Sequence, residues 1–138
     1  MDITTLAVRD TAAIHLKDAA GNFLSDDGKP VRIIVYGPGS KPYAELEARQ
    51  SARAIKRMQD NDNKVSLAPP EQRAKEDAED LASITVSFEN LTYPPAGDAT
   101  GRALFESFYA DRSLGFIAAQ VGKACRDWGN FSGASANA

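Results

Sequence analysis

The sequence predicts an α+β fold in which a small N-terminal antiparallel β meander is followed by about four helices. Two observations support this prediction. The first third of the chain alternates short apolar runs with turn residues, whereas the chain after residue 40 places apolar residues at three- and four-residue spacing. A length of 138 residues suits one domain with one modest core. We expect a single α+β domain over residues 1–131 and a flexible C-terminal tail over residues 132–138.

The β meander is predicted from short apolar runs that turns separate. Residues 13–17 and 23–24 flank a turn-rich segment, and the Asp-Gly pair at 27–28 is a strong turn signal. The run 31–36 (Val-Arg-Ile-Ile-Val-Tyr) is dense in β-branched and aromatic residues, and Gly-Pro-Gly at 37–39 ends it. A meander of roughly two to four strands is unstable alone, so helices must cover one of its faces.

The first predicted helix covers residues 41–59 and is rich in Ala, Glu, Arg and Gln. Ser40 is a suitable N-cap, and Pro42 falls in the first turn, where a missing amide is tolerated. The large apolar residues are few: Tyr43, Leu46, Ile55 and Met58. So narrow a stripe predicts a helix that lies on a surface or pairs with another helix.

Three further helices are predicted, over residues 70–88, 101–110 and 114–128. The first of them places Ala, Leu, Thr and Phe side chains on one face up to Phe88. Its second half, residues 81–88, is β-branched in part, so a strand is a real alternative there.

Few residues could carry catalysis. The segment 37–41 (Gly-Pro-Gly-Ser-Lys) imitates a phosphate-binding loop, but the spacing is wrong, so we interpret it as a strand end and a helix cap. His15 is the only histidine, which excludes catalytic triads and paired-histidine metal sites, and we interpret it as an exposed or edge residue. Cys125 lies among apolar helix positions and is interpreted as a core thiol. We expect no enzymatic activity, no cofactor and no metal.

Charge is distributed unevenly between the first two predicted helices. The second carries adjacent acids, which we interpret as a solvated face because no second ligand cluster accompanies them. These acids are Glu76, Asp77, Glu79 and Asp80. The first carries basic residues late in its length, namely Arg49, Arg53, Lys56 and Arg57. If the two helices pair antiparallel, the opposite charges meet and select the register of pairing.

Aromatic residues are concentrated in the last third of the chain. Filling of the core is the ordinary explanation, but aromatic side chains also dominate interface hot spots. The candidate partner-binding residues are Phe105, Phe108, Tyr109, Phe116 and Trp128. We also expect self-association, because the narrow stripe of the first helix is easier to explain if a neighbouring chain covers part of it.

The composition restricts partners and location. A formal net charge of −3 argues against a nucleic-acid partner. The longest uncharged apolar stretch, residues 114–122, is too short to span a bilayer. The first residues do not resemble a signal peptide, and one cysteine gives no sign of an oxidising compartment. We expect a cytosolic protein without a membrane partner.

Four blocks follow one another in a characteristic order. An Arg-rich helix end at 49–57 precedes a polar gap and the block 80–91 (Asp-Leu-Ala-Ser-Ile-Thr-Val-Ser-Phe-Glu-Asn-Leu), and residues 102–107 and 120–131 complete the series. From about Val31 to Phe131 this order resembles the tail assembly chaperones of long-tailed bacteriophages. The resemblance rests on order and character rather than on invariant residues, and many members of that family carry tryptophan at the position of Phe88.

The resemblance implies a non-enzymatic protein of the host cell cytoplasm. Such a protein binds the tape measure protein and keeps it soluble until tail tube subunits polymerise around it, and the tail tube protein is a further expected partner. The alternative is a structural minor tail or tail-completion protein of the virion, which differs in being present in purified particles. A small regulatory binding protein of prophage origin is a third reading, and an enzyme ranks last.

Overall fold

A computed structural model describes residues 1–133 and confirms the α+β class, with an antiparallel sheet and four α-helices. The strands are β1 (Thr11–His15), β2 (Ser25–Asp26), β3 (Lys29–Pro30), β4 (Arg32–Tyr36) and β5 (Thr85–Glu89). The helices are α1 (Lys41–Asp60), α2 (Pro70–Ser83), α3 (Gly101–Ala110) and α4 (Gly115–Arg126). Short 3-10 turns cover Ile3–Leu6, Pro94–Ala96, Arg112–Leu114 and Trp128–Phe131.

The main sheet has three antiparallel strands in the order β1-β4-β5, so β4 is central and β1 and β5 are its edges. Ile33 and Val35 of β4 point into the core and are fully buried. Across the ladder, Ile33 pairs with Ile14 of β1 and with Phe88 of β5, and Val35 pairs with Ala12. Strand-period alternation therefore gives this sheet one apolar face, which the helices cover.

The prediction of one helix over residues 70–88 is wrong in its second half. Helix α2 ends at Ser83, and the strand β5 follows it. The pairing of β5 with β4 contains a bulge: Ile34 pairs with Ser87, and Val35 pairs with Thr85. Val86 is the extra residue in this bulge, and it is 41% exposed. The alternative noted for this segment, a strand, is the structure that forms.

The turns predicted in the first third are confirmed. Asp27 and Gly28 both have positive φ angles, 53° and 78°, between the two short paired strands β2 and β3. Positive φ at both central residues is what a tight hairpin turn requires, and glycine adopts it without strain.

The junction between β4 and α1 is a strand end and a helix cap, as the sequence predicts. The hydroxyl of Ser40 accepts a hydrogen bond from the amide of Tyr43 at 3.4 Å and donates one to the carbonyl of Gly37 at 2.7 Å. The ring of Phe131 covers Gly37 so closely that a Cβ there would overlap it. Only glycine fits beneath this ring.

The C-terminal segment contacts the rest of the domain at Phe131. The amide of Arg9 donates to the carbonyl of Phe131 at 2.8 Å, and the hydroxyl of Ser132 donates to the carbonyl of Gly129 at 3.0 Å. Residues 134–138 of the predicted flexible tail lie outside the described residues.

Candidate functional site

Three of the five predicted partner-binding residues lie in the core. Phe105, Phe108 and Tyr109 are 7%, 3% and 6% exposed. The rings of Phe105 and Phe108 pack with Phe88 of β5, whose ring centroid lies 4.9 Å and 5.1 Å from theirs, and the ring of Tyr109 packs with that of Phe108. This placement corrects the expectation of a surface role, because these side chains cannot meet a partner while the domain stays folded.

The hydroxyl of Tyr109 is satisfied inside this aromatic cluster. It lies 2.7 Å from the hydroxyl of Thr85, which donates to the carbonyl of Leu81 at 2.8 Å. Because Thr85 has one proton and uses it there, Tyr109 is the donor between the two hydroxyls. Burial raises the pKa of Tyr109 above its usual range. Tyr109, Thr85 and Leu81 therefore form a hydrogen-bonded chain that connects α3, β5 and α2.

The other two predicted residues, Phe116 and Trp128, are at the surface and are 37% and 56% exposed. Trp128 lies beside Gly39, next to the cap of α1. Phe116 is in the first turn of α4, and about 15 Å of helix separates it from the end of α4 at Arg126. The structure therefore does not bring these two side chains into one patch.

A groove between α1, α2 and α4 is a candidate contact surface. Its volume is about 470 Å³. The floor is apolar and consists of Leu46, Leu81, Ile84 and Cys125. One wall is α4, which contributes Gly115, Ala118, Ala119 and Gly122. The rest of the lining is Tyr43 and the polar or charged residues Gln50, Asp77, Asp80 and Arg126.

The α4 wall is low because its side chains are small. A Cβ added at Gly115 would meet no atom within 4 Å, and one at Gly122 would only reach ordinary contact, 3.8 Å from Arg126 and 3.9 Å from Leu81. A helical backbone can approach such a wall closely. The aromatic residues drew the sequence interpretation away from this surface, although its signal is present: small residues recur at three- and four-residue spacing from 115 to 122.

Polar side chains on facing sides of α1 and α2 hold the α1 wall of the groove in place. Both terminal nitrogens of Arg53 donate to the carboxylate of Asp80, at 3.0 Å and 3.1 Å. Arg57 pairs with Glu76, and Arg49 donates to the hydroxyl of Ser83 at 2.6 Å. We call these residues the α1–α2 ladder. Their numbers rise on α1 as they fall on α2, so the expected antiparallel pairing of opposite charges is confirmed.

The ladder corrects the interpretation of the acidic cluster as a solvated face. Asp80 is only 5% exposed, and the hydrogen bond to it raises the pKa of the Arg53 guanidinium above its usual range. The hydrogen bond from Arg57 holds the pKa of Glu76 below its usual range. Some of the adjacent acids of α2 therefore point toward the basic helix α1 and not toward water.

The two residues considered for catalysis, Cys125 and His15, both pack against or hydrogen-bond to the rest of the domain. Cys125 is 1% exposed, and burial raises the pKa of its thiol to about 12, so the reactive thiolate is suppressed at neutral pH. His15 lies on the edge strand β1, where its Nε2 is 2.8 Å from the carbonyl oxygen of Leu24 and its ring stacks on Phe23 at 4.5 Å. Among residues 1–133, no group of three or more His, Cys, Asp or Glu side chains is arranged to hold a metal ion.

Within residues 1–133, no helix is long and apolar enough to cross a bilayer.

Comparisons with known proteins add no family: no protein-family model, no curated protein and no solved structure matches this chain.

Proposed function

We propose that this chain is a tail assembly chaperone of a long-tailed bacteriophage, a non-enzymatic protein of the host cell cytoplasm that binds the tape measure protein and keeps it soluble. The observation that carries the proposal is the open groove between α1, α2 and α4, which has an apolar floor. The order of sequence blocks from Val31 to Phe131, which resembles that family, supports the identity of the partner. The tail tube protein is a further proposed partner.

The shape of the groove suits one helix of a partner. Its volume lies in the range of about 300–1,000 Å³ that binding pockets occupy, enough for several side chains of one segment. Two of its walls are helices, and an amphipathic helix bound in an apolar groove is a recurring mode of recognition. Each large apolar side chain that moves from water into the groove contributes about 1.5–3 kcal/mol. A long helical protein with exposed apolar stripes offers such side chains repeatedly.

The test is co-expression with the tape measure protein of the same genome, with the soluble fraction of that protein as the readout. Ala119→Glu places a charge on the exposed α4 wall without disturbing the core, and Ala20→Glu makes the same change in an exposed turn elsewhere. Circular dichroism and melting first establish that both variants fold. The parent and Ala20→Glu should keep the tape measure protein soluble.

We expect Ala119→Glu to weaken binding by about 30-fold, as the loss of roughly 2 kcal/mol at an interface hot spot does. If Ala119→Glu works as well as the parent, the groove is not the contact surface. If the parent itself leaves the tape measure protein insoluble, the proposed function is refuted. Finding the chain in purified particles would favour the alternative, a structural tail protein.

A further inference from the structure

The outward face of α1 carries a stripe of small and apolar side chains that no described residue covers. Its members alternate at four- and three-residue spacing and are all exposed: Ala44, Ala48, Ser51, Ile55 and Met58. Ile55 is 53% exposed and Met58 is 37% exposed. We call these five residues the α1 seam. They lie on the side of the helix opposite to the arginines of the α1–α2 ladder.

This arrangement is the reverse of an ordinary surface helix, which buries its apolar stripe and exposes its charges. From Arg49 onward, α1 turns its arginines toward the domain and its apolar side chains toward water. The spacing of the α1 seam is that of the core positions in a coiled coil, where side chains of one helix fit between those of another. The seam therefore suits a second helix.

We propose that the α1 seam binds the α1 seam of a second copy of this chain, with the two helices antiparallel. Side-chain size favours this orientation. If Ser51 faces Ser51 at the centre, the small residue Ala44 of one copy faces Met58 of the other, and Ala48 faces Ile55. Small residues then meet large ones, and the two helices stay at an even distance. A parallel pair would place alanine against alanine at one end and large side chains against each other at the other.

Charge favours the same orientation. Glu45 and Lys56 flank one side of the α1 seam, both are exposed, and neither forms an ion pair within residues 1–133. In the antiparallel pair Glu45 of one copy faces Lys56 of the other, twice by symmetry. In a parallel pair Glu45 and Lys56 of one copy would lie on the opposite side of the interface from those of the other, so this attraction would be absent. The charge pattern thus selects a second copy and its direction.

The contact is short, because the α1 seam spans about 21 Å, or two heptads. Two free peptides of that length would hardly associate, since each would first have to become helical. Here the helix is already formed and fixed by the α1–α2 ladder, so that ordering cost is absent. We expect a dimer that forms in the micromolar range. The proposal goes beyond the proposed function and does not use the groove, which lies on another side of α1.

Sedimentation of the full chain from about 1 μM to 1 mM tests the association. The parent should shift from monomer to dimer, and Ile55→Glu should stay monomeric across the range. Val86→Glu is the matched control, because it makes a similar change at another exposed residue, on β5, and should dimerise like the parent. A monomeric parent, or an Ile55→Glu variant that dimerises as the parent does, overturns the proposal.

Charge exchange tests the pairing. Glu45→Lys and Lys56→Glu should each weaken the dimer by about fivefold or more, and the double variant should recover it. If the double variant is weaker than both single variants, Glu45 does not face Lys56, and the proposed alignment is overturned.

Disulfide formation tests the direction. Mixing Ala44→Cys with Met58→Cys should give a cross-linked mixed dimer, since these positions face each other and a disulfide needs Cα atoms within about 7 Å. Neither variant should cross-link to itself, and the buried native Cys125 stays unreactive. Self-cross-linking of Ala44→Cys would show a parallel pair and overturn the orientation. A monomeric parent whose Ile55→Glu variant fails to solubilise the tape measure protein would assign the α1 seam to that protein and overturn the proposal.

Discussion

Replacement of Asp80 by asparagine tests whether the α1–α2 ladder holds α1 on the domain. The Asp80 carboxylate accepts hydrogen bonds from Arg53 at 3.0 Å and 3.1 Å and from Gln50 at 3.2 Å. Asparagine has nearly the same shape, but it carries no charge and points an amide toward donors. The substitution therefore removes at least one charge-assisted hydrogen bond and leaves Arg53 without its main counter-ion.

The expected cost follows from these contacts. A hydrogen bond to a charged group contributes about 1.5–3 kcal/mol, and breaking a fully buried ion pair costs about 3–5 kcal/mol. The side chain of Arg53 is 26% exposed, so water compensates part of the loss, and we expect about 2 kcal/mol. With an unfolding entropy of about 2.1 cal/mol/K per residue over 138 residues, the melting temperature should fall by about 7 °C.

Calorimetry gives this melting temperature, and hydrogen exchange shows where the domain loosens. The amides of α1 should exchange faster in Asp80→Asn, while those of the central strand β4 follow global unfolding. Arg102→Ala is the control: it breaks the exposed pair with Glu106, whose side chains are 57% and 40% exposed, and should change stability by less than about 0.5 kcal/mol. If Asp80→Asn melts with the parent and α1 exchanges unchanged, the ladder does not hold the helix.

Three further predictions test the core, the β4–α1 junction and the response to acid. Phe108→Ala should destabilise the domain by about 3–5 kcal/mol in urea unfolding, because it empties the aromatic cluster. Gly37→Ala should lower the melting temperature far more than Gly122→Ala, since only the first forces a Cβ into a ring. The hydrogen bond from Arg57 lowers the pKa of Glu76, so the stability that Glu76 contributes is present above pH 4.5 and is lost as pH falls through the lowered pKa. In melting measured as a function of pH, Glu76→Gln should therefore lose less stability on acidification than the parent does.

Local turn and cap chemistry made most element boundaries predictable. Ser40, the Asp-Gly pair at 27–28 and the glycine-proline run at 37–39 each satisfy a need of the neighbouring backbone, so their effect does not depend on distant residues. The start of α1 at Lys41 and the turn between β2 and β3 followed directly from them. The antiparallel contact of α1 and α2 was predictable too, because opposite charges were grouped on two adjacent helices.

The strand β5 was harder to predict because its bulge imitates helical spacing. A regular strand directs residues two apart to the same face, but the extra residue Val86 brings Thr85 and Phe88, three apart, both toward the core. Residues three apart also share a face of a helix, so the pattern extends that of α2 without a break. Only the pairing with β4, a contact distant in the sequence, decides between the two structures.

The aromatic residues show why counting large side chains does not locate a binding surface. Phe105, Phe108 and Tyr109 recur at three- and four-residue spacing, which is the pattern of a helix face directed at a core. The structure buries all three. The groove could not be recognised by counting large side chains, because its α4 wall consists of glycine and alanine. These small residues create space for a partner and do not fill it.

The large apolar residues of α1 belong to two faces, which accounts for the narrow stripe seen in the sequence. Tyr43 and Leu46 face the domain at the start of the helix, whereas Ile55 and Met58 face water near its end. Arginines occupy the inward positions between them, so charge rather than apolar packing holds the second half of α1. Because Ile55 is already 53% exposed, Ile55→Glu should leave the melting temperature of the monomer unchanged while it abolishes the dimer. A residue that is dispensable for the fold but required for association identifies the α1 seam as a surface for another chain.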